Sequence, residues 1–196
     1  MTRIKDIGTT TTSAASDDYV ALDGTTNASR KILASNIVGG LVFIERQTFT
    51  TASEVDIDLP DAYDSFRIEM VYSLLSSSDL ALRISDDGFS TVESGASDYS
   101  YSFKRYAGTF GGGEDDLHDR ILTAGFNRTS TNSIMTLEVV HAKETGAPTR
   151  INFAGDYLSG TDSGSVHGVG TYLTSSSING LRAFPTAGNI TGLYRS

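Results

Sequence analysis

From residue 55 onward, apolar side chains recur at every second position. Val55, Ile57 and Leu59 alternate with Asp56 and Asp58; Phe66, Ile68, Met70 and Tyr72 with Arg67, Glu69 and Val71; Leu80, Leu82 and Ile84 with Ala81, Arg83 and Ser85. Side chains of a strand point to opposite faces in turn, so this period gives each segment one apolar and one wet face, whereas on a helix the same period would scatter apolar residues around the whole surface. The pattern returns in Tyr99-Tyr101-Phe103, in Met135-Leu137-Val139, around Ile151-Phe153, and more weakly over Val166–Leu173 and Ile178–Phe184. About seven to ten short strands broken by Gly, Ser, Asp and Asn clusters predict an all-β fold, an antiparallel β-sandwich of jelly-roll-like form. Leu117 and Ile121 stand at i, i+4 spacing, but the shortness of Asp115–Phe126 and Gly125 within it favour strand or loop over helix.

The first 37 residues read differently. A polar run from Thr9 to Ser16 precedes two short apolar patches, Tyr19-Val20-Ala21-Leu22 and Ile32-Leu33, which are too few to build a core. Asp23-Gly24 is a turn signal between the first patch and a second candidate strand over Arg30–Ile37, so a small hairpin is expected within an extended arm. Gly39-Gly40 then interrupts the chain. The expected division is an arm over residues 1–37 and a sandwich over 38–196. Charge divides in the same place: the arm holds four bases and four acids, whereas 20 acids face 11 bases in the remainder, which carries the whole net charge of −9. A body of that sign repels phosphate backbones, so nucleic acid is not an expected partner.

The chain has no cysteine, which leaves out disulfides and thiolate metal sites. At 196 residues it is long enough for one self-sufficient core. Its N-terminus shows no signal-peptide h-region, and no apolar run approaches the roughly 18 residues of a membrane span, so neither secretion nor membrane insertion is expected.

The stretch from Asp17 to Ile32, DDYVALDGTTNASRKI, resembles the N-terminal particle-associated segment of bacteriophage tail and fibre proteins. Two further stretches are similar to phage jelly-roll domains: Leu82–Thr91 followed by Ser94–Tyr99, and Ile178–Phe184 followed by Gly188-Asn189-Ile190. The order of the three is that of the family. Phe89 departs from it, standing where a second glycine follows Asp87-Gly88, and so does the ending Leu193-Tyr194-Arg195-Ser196, where a Tyr-Gly strand is usual. The resemblance implies a virion protein, assembled in the host cytoplasm, that attaches to other virion proteins through Tyr19, Val20, Leu22, Asp23, Gly24, Arg30, Lys31 and Ile32. It also implies a homo-oligomer, commonly a trimer.

Signals of chemistry are sparse. In Ser85-Asp86-Asp87-Gly88 the aspartates suit backbone N–H acceptance and Gly88 suits a positive φ, which reads as a strand-connecting turn in preference to a calcium loop. His118, His141 and His167 are far apart and lack metalloprotease spacing, so no metal site is expected. No Gly-x-Ser-x-Gly elbow accompanies the serines near His118-Asp119. Glu114-Asp115-Asp116 reads as a solvated loop and not a glycosidase pair, and Gly111-Gly112-Gly113 as a flexible or tightly turning connection. No catalytic residue, enzyme activity or cofactor is therefore assigned. Tyr99, Tyr101 and Phe103 share one strand face and are expected in the core. Beyond the alternation, Tyr106 with Lys104 and Arg105 is the candidate receptor contact. The two readings that follow are a structural fibre, spike or head-fibre component, and a module that also recognises a host surface glycan or protein.

Overall fold

A computed structural model describes residues 19–22, 30–33, 43–106, 110–123, 132–159 and 162–196. The chain divides into two compact units, residues 1–43 and 44–196. The boundary expected at 37/38 lies outside the described residues.

In the first unit, β1 (Tyr19–Leu22) and β2 (Arg30–Leu33) pair antiparallel, with Val20 opposite Ile32 and Leu22 opposite Arg30. The second unit is all β. Its strands are β3 (Arg46–Ala52), β4 (Val55–Asp58), β5 (Phe66–Leu74), β6 (Leu80–Ser85), β7 (Tyr99–Tyr106), β8 (Phe110–His118), β9 (Ile121–Leu122), β10 (Ser133–Val140), β11 (Arg150–Ser159), β12 (Asp162–Tyr172), β13 (Gly180–Pro185) and β14 (Ile190–Arg195). No helix occurs among the described residues.

Two antiparallel sheets result, of eight strands in the order β3-β14-β5-β10-β11-β12-β7-β8 and of four in the order β4-β13-β6-β9. The order has a simple parentage. With β7, β8, β11 and β12 set aside, the remaining strands divide between the sheets in the order of a jelly roll, β3-β14-β5-β10 facing β4-β13-β6-β9. The pairs β7–β8 and β11–β12 are then two antiparallel ribbons, inserted after β6 and after β10, that dock on each other through β12 and β7 and widen one sheet to twice the width of the other.

The core lies between the sheets and takes the residues the alternation assigns to it. Ile68, Met70, Leu82, Ile84, Leu137, Val139, Ile151 and Leu181 are all essentially inaccessible. Tyr99 is fully buried and Phe103 nearly so, as their common strand face requires, with Tyr101 packed at the margin. Tyr99 also crosses the sandwich: its hydroxyl accepts the Ile84 N–H of β6 (2.8 Å) and donates to the Glu93 carbonyl (2.9 Å). On the solvent face of the smaller sheet, Arg182 grips Asp56 with two hydrogen bonds (2.6 and 2.8 Å), and neighbouring Arg83 bonds Asp119.

Glycine spacing closes the two sheets together. A Cβ at Gly168 would stand 2.2 Å from the Phe153 ring, and one at Gly170 would stand 2.5 Å from the Ile121 side chain, so β12 is stripped of side chains where these large groups lie against it. That explains the weak apolar pattern of Val166–Leu173: its inward positions are partly glycine.

Two sequence expectations are corrected here. Gly111–Gly113 is no loose connection, and Glu114–Asp116 is no loop; both lie within β8, where Gly111 through Asp115 pair with Arg105 through Tyr101 on β7. Glycine scores poorly as a strand former because it brings no side chain to pack. Here that is the requirement, since a Cβ at Gly112 would come 2.7 Å from the Phe103 carbonyl oxygen and one at Gly113 2.9 Å from its ring.

The turn after β6 forms as its residues suggest. Asp87 accepts the Thr91 N–H (2.9 Å) and hydroxyl (2.7 Å), and these bonds, the backbone one foremost, hold its carboxyl below its ordinary range. Gly88 has φ +70°, and Phe89 follows it into the left-handed region at +66°. Phe89 thus adopts a backbone conformation that favours glycine, while its ring lies over Gly180 and beneath the Arg182 guanidinium (5.7 Å).

Candidate functional site

The outer face of the widened sheet carries an open basin of about 1000 Å³ where β12, β7 and β8 run side by side. Strand register places two cross-strand rows in it: His167 opposite Lys104 opposite Gly112, and Val169 opposite Ser102 opposite Glu114. All six line the basin. Lys104 and Ser102 point outward for the same reason that Tyr101 and Phe103 point inward, since the alternation along β7 fixes both faces at once. The bare Gly112 lowers the floor between the polar side chains and leaves peptide groups accessible.

The result is a shallow site with a cation, an anion, an imidazole, a hydroxyl and one short apolar side chain around exposed backbone. Such a set offers hydrogen-bond donors and acceptors to a flat, hydroxyl-rich ligand. Of the expected receptor contacts, Lys104 lies in the basin, and Tyr106, 47% exposed, shares its face one row farther along, opposite Ser165. Arg105 is separated from them. It belongs to the opposite face, where its Nε lies 3.0 Å from the position of a Cβ on Gly111. Reading only consecutive residues missed His167, Val169 and Glu114, which arrive from the neighbouring strands; the alternation of β7 was the available signal for Ser102.

The other histidines are committed elsewhere. His118 Nδ1 sits 2.7 Å from Asp119, which is also held by Arg83 and by Arg120 Nε (2.9 Å), and the His118 ring meets Tyr101 edge to face. The Asp119 carboxyl lies below its ordinary range: burial raises it, but hydrogen bonding to Arg83 and the surrounding positive charges prevail. His141 Nδ1 lies 2.9 Å from Glu144. Among the described residues, none of the three histidines hydrogen-bonds a serine hydroxyl. Of the expected attachment residues, Tyr19, Val20 and Leu22 lie on β1 and Arg30, Lys31 and Ile32 on β2. Asp23 and Gly24 lie outside the described residues.

No protein-family model, no curated protein and no solved structure matches the chain.

Proposed function

We propose that this protein is a structural component of a bacteriophage particle, a tail-fibre, spike or related projecting protein, anchored to other virion proteins by residues 1–37 and self-associating through its body, as a trimer. The observation that best supports the reading is the pairing of an arm of zero net charge, carrying its own two-stranded element, with a jelly-roll body whose first and last strands meet. The Ile44 N–H donates to the Ser196 carbonyl (2.8 Å) and the Ser196 N–H to the Glu45 carbonyl (3.0 Å). The chain thus enters and leaves the body at one end, an arrangement suited to a module held from one side. The resemblance of Asp17–Ile32 to the phage segment supplies the viral context.

Deleting residues 1–37 tests this. A folded body that no longer incorporates into particles is expected; particles that retain the truncated protein would overturn the anchor. Leu22→Asp and Arg30→Glu alter opposed positions of the β1–β2 pair, one removing apolar area and the other reversing a charge, and each should lower incorporation. Wild-type occupancy would remove them from the attachment site.

The basin favours a second, compatible reading, in which the same body recognises a host surface glycan. Its polar groups suit sugar hydroxyls, and its glycine floor suits a ring lying against backbone. A glycan array probed with the full chain should show signal that Lys104→Ala abolishes. No binding would leave the structural role alone.

A further inference from the structure

We propose that Asp64, His141 and Glu144 form a binding site for a divalent transition-metal ion, with Zn²⁺ the ion of reference. The three come from two loops at one end of the sandwich, β4–β5 and β10–β11. One ligand atom from each converges so that all lie within 4.8 Å of one another.

The loops are stitched together independently of any ion. The Ala142 N–H donates to the Asp64 carbonyl (3.0 Å) and the Lys143 N–H to Asp64 Oδ1 (2.9 Å), so Asp64 is held against the β10–β11 loop. Lys143, the base nearest in sequence, does not neutralise the cluster. Its ammonium is spent on the Leu59 carbonyl (2.8 Å), the Ile178 carbonyl (2.5 Å) and Asp61 (2.9 Å). That lysine ties the loop ends together while the carboxylates of Asp64 and Glu144 face His141 without it.

His141 supplies the decisive geometry. Its backbone is held at φ +60°, uncommon for a residue with a side chain, and its Nδ1 is shielded from solvent. Nδ1 stands 2.9 Å from Glu144 Oε1. The imidazole and the carboxylate thus face one another as a close pair. Two donors this close are near adjacent positions around one small cation: tetrahedral bonds of about 2.0–2.1 Å to N and O separate the donors by about 3.3–3.4 Å, so the pair would open by a few tenths of an ångström to admit the ion. A third donor from Asp64 needs only a side-chain rotation to join them. One imidazole nitrogen with two carboxylates selects Zn²⁺, Mn²⁺ or Ni²⁺ over Ca²⁺ and Mg²⁺, which prefer oxygen alone. Remaining positions fall to water or to a group of an adjoining molecule. The role we assign is a clamp between the two loops, and it does not depend on the viral reading.

Titration of the full chain with ZnCl₂ by calorimetry, with CaCl₂ as comparison, tests the site. The expected result is saturable Zn²⁺ binding with a rise in melting temperature, and perturbation of the His141 imidazole in ¹H–¹⁵N spectra while those of His118 and His167 stay in place. His141→Asn, whose residue tolerates the left-handed backbone, should weaken Zn²⁺ at least about tenfold. Glu144→Gln, on an exposed side chain that cannot compromise folding, should weaken it as well. No saturable Zn²⁺ binding below about 1 mM, affinity unchanged in both variants, or perturbation centred on His118 or His167 would each overturn the proposal.

Discussion

Tyr99→Phe removes one oxygen atom and keeps the ring, so it isolates the bond that Tyr99 makes across the sandwich. In the native body the hydroxyl accepts from the Ile84 N–H and donates to the Glu93 carbonyl. Ile84 is fully buried, and its amide has no route to water once the oxygen is gone. An orphaned buried donor costs about 1–3 kcal/mol, whereas the partly exposed Glu93 carbonyl can recruit solvent and adds about 0.5 kcal/mol. The expected loss is therefore about 1.5–3.5 kcal/mol. For a body of this size that lowers the melting temperature by roughly 3–14 °C. Urea unfolding should show the loss as a lower midpoint at unchanged slope, since the exposed area is the same. A change below about 0.5 kcal/mol would refute the reasoning, because it would mean that Ile84 finds another acceptor and that the tyrosine does not tie the sheets together.

Other expectations follow from the same structure. Gly170→Ala drives a Cβ to within 2.5 Å of Ile121 and should cost about 1–3 kcal/mol in urea, with part recovered in the Gly170→Ala/Ile121→Ala double variant; strict additivity would contradict the contact. Burial, the largest cause in each case, raises the phenols of Tyr72, Tyr99 and Tyr194 above their ordinary 10.0. The folded state thus holds protons that the unfolded state releases, so the contribution of these phenols to stability should be constant from neutral pH to about pH 10 and fall above it, as read by denaturation midpoints across alkaline pH. Hydrogen exchange should be slowest in β10, paired on both sides by β5 and β11, and fastest in the glycine-rich edge strand β8; equal protection would argue against β8 as an edge.

The sandwich was legible because strands such as Phe66 to Tyr72 and Met135 to Val139 obey the alternation throughout and announce both strand and face, whereas β6 buries Ala81 and Ser85 as well. What escaped is what glycine makes possible. Gly111–Gly113 carries no side chain from which a period can be read, and its strand character resides in Phe103 on the next strand, whose carbonyl and ring require the bare backbone. The basin was hidden for a related reason. Lys104 and Tyr106 were visible on one strand, but His167 and Glu114 join them only through pairings of β12 and β8 that no local pattern specifies. Arg105 was grouped with them by adjacency, although adjacency in a strand means opposite faces. The Asp64–His141–Glu144 cluster depends on two loops meeting across 77 positions of chain between Asp64 and His141, a distance at which spacing rules say nothing.

The mutual hydrogen bonds of Ile44, Glu45 and Ser196 have an evolutionary consequence. Because the body opens and closes through neighbouring strands, recombination can replace it whole through crossovers that leave its internal pairings intact. Its core does not have to be renegotiated with each new sequence upstream. A body with this seam can be carried from one arm to another as a cassette, and its circular permutant, with Ser196 tethered to Ile44 and the chain opened at the exposed turn near Leu75, should still find the same fold.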